Sequence, residues 1–427
     1  MSQRRASRRR REPGAAGDAS SDADVPEVEC EIETLAAGGD GVGRLPDGRA
    51  LFVEGAAPGD RVRVRVSELR ARYARGRVVR LLEPGPDRVE PACPSFGVCG
   101  GCSWQHIDYA AQVRAKTGIL RDAVERIGHL ACPDPIPFHA SPEAYGYRLR
   151  ARLLVSGREV GYRRRRSHAV CAVRECPVLE PALAERLGDM ADDAASGRLG
   201  HGEWELFAGA QGPRVRRVRR GAGEPAEIEV LGAKLRISPG VFAQANRGLL
   251  DPLAEAVRRA VVAGRPAAPD GLLLELFAGA GFFTLGCAPH FLATVAVESD
   301  AAAVRDLRFN LARAGLGPVE VRAEACEAVL ADWASQGRSP DVVLLDPPRA
   351  GLGREGVEAL ARIAPGRVVY LSCDPATLAR DLARLCDDGY TLRGLEGFDL
   401  FPQTPHVEAL AVIERVGEPP AQGSIRP

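Results

Sequence analysis

Residues 368–382, VVYLSCDPATLARDL, put a thiol where chemistry can use it. Val368, Val369, Tyr370 and Leu371 form a β-prone run that stops abruptly at Ser372, Cys373, Asp374 and Pro375. Apolar Leu378 and Leu382 then recur at helical spacing, with proline suited to a first helical turn. The stretch predicts a buried strand that delivers Cys373 to the carboxyl end of an open α/β sheet, where such sheets bind ligands. The competing reading is a small buried hydrophobe, which is what most free cysteines are.

A second set of thiols lies far upstream. Cys93, Cys99 and Cys102 occupy CPSFGVCGGC in a C-x5-C-x2-C spacing, with glycines that let the backbone wrap a bound group. Thiolates this close repel unless a cation neutralises them, so the loop is expected to hold a metal or cluster. The fourth ligand must come from elsewhere; Cys176 in RECPVL is the first candidate and Cys171 the second. Zinc and iron–sulfur both accept four thiolates, and the spacing leaves both open. Cys30, Cys132, Cys287, Cys326 and Cys386 are expected to be packing residues.

The remaining candidates sit at the ends of apolar runs. In GLLLELFAGAGFFTLG, residues 271–286, a strand runs into Gly279, Ala280 and Gly281 and then a helix. A lone G-x-G is weak, but TVAVESD ends a second strand at Glu298, twenty residues on, where an acid can accept ribose hydroxyls. Together they point to a Rossmann-like adenosine site. DVVLLDPPRAG ends a third strand at Asp346, and FDLFPQTPHVEALAVIER places His406 and Glu408 just ahead of an apolar strand. Asp346 could merely cap its turn, Glu408 could be a solvated edge charge, and His406 could orient a partner rather than react.

The elements that must position these groups divide the 427 residues into parts. Residues 1–25, with six arginines and no periodicity, read as a disordered basic tail. Residues 26–85 read as short strands broken by glycine turns, in which Arg61, Arg63 and Arg65 alternate with Val62, Val64 and Val66. A small barrel with a basic face suits single-stranded nucleic acid, and the stretch resembles the TRAM domain of RNA-modifying enzymes. Residues 86–240 are expected to form one central α+β domain. It contains the cysteine loop, a helical pattern from Trp104 to His129, and strands rich in arginine and tyrosine up to GYRRRRSH. Residues 241–427 are expected to form an α/β Rossmann-like domain. Basic and acidic residues balance at 57 each, and only Lys116 and Lys234 are lysines, a bias best put down to base composition. No apolar run is long enough for a membrane span, and the arginine-rich start lacks the apolar core of a secretory signal. A cytoplasmic monomer with reduced or metal-bound cysteines is expected.

In combination, ELFAGAG, VAVESD, DPPRAGL, SCDPATLARDL, FPQTPHVE and the cysteine loop with its later Cys-Pro resemble the RNA uracil-5 methyltransferase family, over residues 27–415. TRAM plus cysteine cluster is more similar to the 23S ribosomal RNA branch than to the transfer RNA branch. The resemblance implies S-adenosylmethionine as methyl donor, contacted by Gln244, Phe277, Glu298 and Asp346 beside the Gly279–Gly281 turn. It implies Cys373 as nucleophile and Glu408 as the base that removes the C5 proton. It also implies a 4Fe–4S cluster on Cys93, Cys99, Cys102 and Cys176. Two positions depart from the family pattern: Ala278, where cysteine is usual, and Phe282, where a small polar residue is usual, which puts one cofactor hydrogen bond in question.

The implied chemistry agrees with the residue types. C5 of uracil is a poor nucleophile until a thiolate adds at C6 and makes the ring an enolate. A base must afterwards remove the C5 proton so that the thiol can leave. The rival readings are the same chemistry on transfer RNA, an amine-directed methyltransferase that shares the Asp-Pro-Pro run, and a cluster-bearing RNA-binding protein without activity.

Overall fold

The structure is a computed structural model, and it describes residues 26–218, 223–317 and 319–416. The basic tail and the last residues lie outside this range.

Glu27–Glu31, Arg61–Leu69, Tyr73–Glu83, Ala50–Glu54, Gly41–Arg44 and Thr34–Leu35 form, in that spatial order, a six-stranded sheet. Alternation buries Val62, Val64, Leu51 and Val53 around Ile32, as a half-buried strand pattern requires. Gly76 sits where the two long strands cross most closely; a Cβ there would meet Val64 Cγ1 at 2.5 Å and Arg65 O at 2.6 Å. The expected arginine ladder is present on the outer face, but it does not stand bare. Antiparallel pairing sets Glu29 opposite Arg63 and Glu27 opposite Arg65. Arg63 Nη2 donates to Glu29 at 2.7 Å, Arg65 Nη2 to Glu27 at 3.0 Å and Arg61 Nη1 to Glu83 at 2.6 Å.

Val170–Ala172, Glu159–Arg163, Arg150–Ser156, Gly202–Gly209 and Gly212–Arg217 make a five-stranded antiparallel sheet. The helix Pro181–Ala195 packs Leu183, Leu187 and Met190 into the same core. Buried Glu205 bridges Arg150 and Arg216, each at 2.5 Å. A hairpin of Ala226–Val230 and Ala233–Ile237 follows.

The C-terminal sheet has eight strands. Their order is Val319–Arg322, Ala293–Val297, Leu272–Leu276, Val342–Leu345, Arg367–Ser372, Glu408–Arg415, Tyr390–Phe398 and Phe138–His139. The first five run parallel, and Glu408–Arg415 is antiparallel to Arg367–Ser372. Strand order reverses between Leu272–Leu276 and Val342–Leu345, which makes a crevice at their carboxyl ends. The Rossmann-like expectation holds.

Its last strand comes from upstream. The helix Tyr109–Asp122, expected to belong to the central domain, buries Ile119 and Leu120 in one core with Val368, Leu378, Leu382 and Leu395 of the C-terminal sheet and helices. Trp104 and Ile107 join that core, as do Leu35 and Ala57 from the N-terminal barrel. The segment from Trp104 to His139 therefore joins the N-terminal barrel to the C-terminal sheet.

Candidate active site

Three neighbouring strand ends carry the reactive groups. Ser372 pairs with Ala409, so Cys373 and Glu408 lie at adjacent strand termini. Leu345 pairs with Tyr370, which puts Asp346 at the next terminus in the same sheet. Beyond Cys373, Asp374 caps the helix Pro375–Asp387, accepting from the N–H groups of Ala376 and Thr377 at 3.0 Å each. Those donors are spent on Asp374, so the cation that favours a Cys373 thiolate is Arg349, not the helix terminus.

Burial pushes the Cys373 thiol up to about 11; the carboxylates of Glu408 and Asp346 push the same way, while Arg349 pulls it back by charge and by a hydrogen bond. Glu408 is 5% exposed, and burial, then the charge of Asp346, lifts its carboxyl well above the usual range. Burial likewise lifts Asp346 to about 7. Arg349 Nη2 lies 3.3 Å from His406 Nε2. Burial, and then that guanidinium, press His406 down to about 4, so the ring is neutral near pH 7 and accepts from Arg349. A neutral histidine that orients the cation beside the thiol fits the orienting role better than proton transfer.

At the crevice, Phe277, Gly279 and Gly281 all take positive φ, at 61°, 56° and 94°. A side chain at Gly281 would strike Leu307 Cδ1 at 2.8 Å, whereas nothing lies within 4 Å of a Cβ at Gly279. The turn is thus packed on one side and open to a ligand on the other. Glu298 holds it in shape: its Oε2 accepts from Gly279 N at 3.0 Å and its Oε1 from Asp300 N at 2.7 Å. Phe277, in a conformation costly for an aromatic residue, donates its N–H to Cys326 Sγ at 3.3 Å. Cys326 is buried, as expected of a packing residue, but it also anchors this loop. Ala278 is buried and donates to Val297 O at 3.0 Å. Phe282 packs edge-on against Phe283, with ring centroids 4.8 Å apart, so this departure is absorbed by apolar packing. Gln244 is 4% exposed, in a segment secured where Ser238 donates from N and Oγ to Asp306 at 2.6 and 2.8 Å.

The upstream thiols face one another electrostatically. Burial above all raises Cys99 to about 12 and Cys102 to about 11; the charges of Cys102 and Cys176 contribute at Cys99, and that of Cys176 at Cys102. Cys93 is raised by burial and by Cys176. Cys171, buried on its strand, adds to Cys93 and Cys99. Gly101 N donates to Cys99 Sγ at 3.4 Å, and Tyr162 Oη to Cys176 Sγ at 3.5 Å. Among the described residues, no three His, Cys, Asp or Glu side chains converge as metal ligands do. The donor set has the chemistry of a four-thiolate site, and its loop is not closed into one.

The tRNA (Uracil-5-)-methyltransferase family description matches residues 241–416, and the TRAM domain description matches residues 26–79. An RNA methyltransferase of Gloeobacter violaceus is 34% identical, over 91% of this chain and 96% of its own length. The 23S rRNA (uracil(1939)-C(5))-methyltransferase RlmD of Yersinia enterocolitica is 35% identical, over 86% of this chain and 90% of its own. The chain belongs to the RNA uracil-5 methyltransferase family. The solved tRNA (uracil-54, C5)-methyltransferase of Pyrococcus abyssi, in complex with S-adenosyl-L-homocysteine, shares the fold. It has a TM-score of 0.70 and 23% identity, over 90% of this chain and 100% of that one.

Two polar residues of this methyltransferase were not singled out from sequence. Arg349 follows Asp-Pro-Pro directly, and its signal was a cation at a strand end that already carried an acid. Glu275 is 1% exposed within an otherwise apolar strand; burial and then Asp346 raise it to about 8, and its Oε2 has no hydrogen-bond partner. Its signal was the single charge in LLLEL.

Proposed function

We propose that this enzyme transfers a methyl group to C5 of a uridine in 23S ribosomal RNA through a covalent bond between Cys373 and C6. The observation that carries the reading is the meeting of Cys373, Glu408 and Arg349 at adjacent strand ends. S-adenosylmethionine, when bound, supplies an electrophilic methyl group. Gln244, Phe277, Glu298 and Asp346 would hold it, beside a Gly279 turn that leaves open space. Arg349 favours the Cys373 thiolate, which adds to C6 and pushes electron density onto C5. After methylation, Glu408 takes the C5 proton, the C6–S bond breaks, and the thiolate is restored. A carboxyl with a raised pKa, between an acid and a cation, suits a base that must take up a proton and release it again.

The uridine has to leave its stack to reach these groups. The barrel of residues 26–85 and the central sheet of residues 86–240 would hold the flanking RNA, above a transferase domain of residues 241–427. Cys93, Cys99, Cys102 and Cys176 would hold a 4Fe–4S cluster, whose positive irons relieve the mutual repulsion of four thiolates. The enzyme would work in the cytoplasm as a monomer.

Nucleoside mass spectrometry of unmodified ribosomal and transfer RNA, each incubated with enzyme and S-adenosylmethionine, tests this reading. New 5-methyluridine in ribosomal RNA alone is expected. The same product in transfer RNA alone would keep the chemistry and overturn the substrate. Iron and sulfide analysis of anaerobically purified protein tests the cluster, and zinc in their place would refute it.

A further inference from the structure

The loop that carries the base is gripped along its main chain from the N-terminal half of the molecule. Gln403, in the run from Asp399 to Glu408, has φ +69°, a left-handed conformation costly for glutamine. Every polar group it has is engaged from upstream. Its N–H donates to Gln112 Oε1 at 2.9 Å, and its carbonyl accepts from the N–H groups of Ser103 and Trp104 at 3.0 Å each. Its Oε1 accepts from Gln112 Nε2 at 2.9 Å, and its Nε2 donates to Ala144 O at 3.3 Å. One helical turn along, Lys116 Nζ donates to Asp399 Oδ1 at 2.5 Å and to Phe401 O at 3.1 Å. The side chains of Lys116 and Asp399 are fully buried. From there the chain is stapled to His406, since Thr404 Oγ1 donates to Phe401 O at 2.7 Å and accepts from His406 N at 3.4 Å.

Buried ion pairs and amides are poor sources of stability compared with apolar packing of the same volume; what they give is one fixed arrangement. The amino acids chosen agree. In a chain with only two lysines, one stands at this buried position, where a compact ammonium reaches a carboxylate and a carbonyl at once. We propose that Gln112 and Lys116, four residues apart on one face of the helix Tyr109–Asp122, are positioning residues for the catalytic base. They set the path of residues 399–407 and so the place of Glu408 beside the C5 proton. The inference rests on the covalent reading above and adds a prediction specific to one step. Thiol addition depends on Cys373 and on Arg349, which His406 of the same run orients, so it should slow no more than loss of Arg349 itself would slow it. Proton removal depends on Glu408 and should fail.

The test compares wild type with Gln112→Leu and with Lys116→Met/Asp399→Leu, which removes both buried charges together. With transcribed 23S RNA and S-adenosylmethionine, the methylated protein–RNA adduct is followed on denaturing gels, alongside cofactor affinity and thermal melting. Cofactor affinity is expected to stay within about twofold of wild type and adduct formation within about tenfold, while adduct decay slows by about a hundredfold, the usual cost of a misplaced reacting group. Adduct decay as fast as wild type in folded variants would overturn the proposal. So would a parallel fall in melting temperature, cofactor affinity and adduct formation, which marks a merely structural joint. Wild type that forms neither adduct nor 5-methyluridine would instead sink the covalent reading itself.

Discussion

The molecule holds two thiol sites that face opposite electrostatic problems. Cys373 stands alone among carboxyls, with Arg349 as its cation, and burial holds the thiol near 11. Cys93, Cys99 and Cys102 are raised first by burial and then by the charges of neighbouring thiols, Cys176 among them. A nucleophile needs a thiolate that is available but not trapped, so a guanidinium that a neutral His406 holds in place is enough. A ligand set needs its charge cancelled outright, which one guanidinium cannot do and a multivalent metal centre can. Position agrees with that division: Cys373 follows a parallel strand of the C-terminal sheet, while Cys99 and Cys102 lie on a glycine loop of the N-terminal half.

Substitutions that exchange the properties of the two sites probe this contrast. Cys373→Ala should lower 5-methyluridine formation by about four orders of magnitude or more, measured by nucleoside mass spectrometry, with S-adenosylmethionine affinity unchanged. Glu408→Gln should slow turnover by about a hundredfold to ten-thousandfold while methylated protein–RNA adduct accumulates on denaturing gels. Arg349→Met should slow adduct formation by about tenfold near neutral pH and displace its pH profile to the alkaline side. The sign follows from charge. Removing a cation raises the thiol further, so less thiolate exists at any given pH, and in wild type the rate should already climb with pH. Cys99→Ser should remove bound iron, measured by elemental analysis, yet leave the methylation rate of protein that stays folded within about tenfold. Glu275→Gln should raise Tm by about 3–5 °C at about pH 8.5 and by little at about pH 5. A carboxyl raised to about 8 in the fold binds its proton more tightly there than when unfolded. Its stability contribution is complete below the unfolded value and is lost as pH rises through 8, and glutamine removes that loss.

Much of the catalytic half was legible because its signals are local. Val368–Leu371 and Val342–Leu345 are apolar runs that end on a reactive group, and the parallel sheet puts those ends together. The barrel's arginine alternation was equally plain, but its partners were not. Glu27 and Glu29 alternate in the same way, and only the strand register brings them opposite Arg65 and Arg63. The helix Tyr109–Asp122 was readable as a helix from Ile119, Leu120 and Val124, whereas its destination depended on contacts with residues near 370–400. Strand Phe138–His139 is two residues long, too short to carry a period. Lys116 was visible as a rare lysine, and nothing local marked it as buried against Asp399. The sequence named the reacting groups more readily than the residues that hold them.

The most direct test of the central claim uses RNA in which the target uridine is replaced by 5-fluorouridine. Fluorine at C5 cannot leave as a proton, so the step assigned to Glu408 cannot occur and the adduct should persist. After incubation with S-adenosylmethionine and digestion, peptide mass spectrometry should find the peptide containing Cys373 carrying one methylated fluorouridine. A stable adduct on another cysteine, or no adduct from enzyme that converts ordinary uridine to 5-methyluridine, would contradict the account.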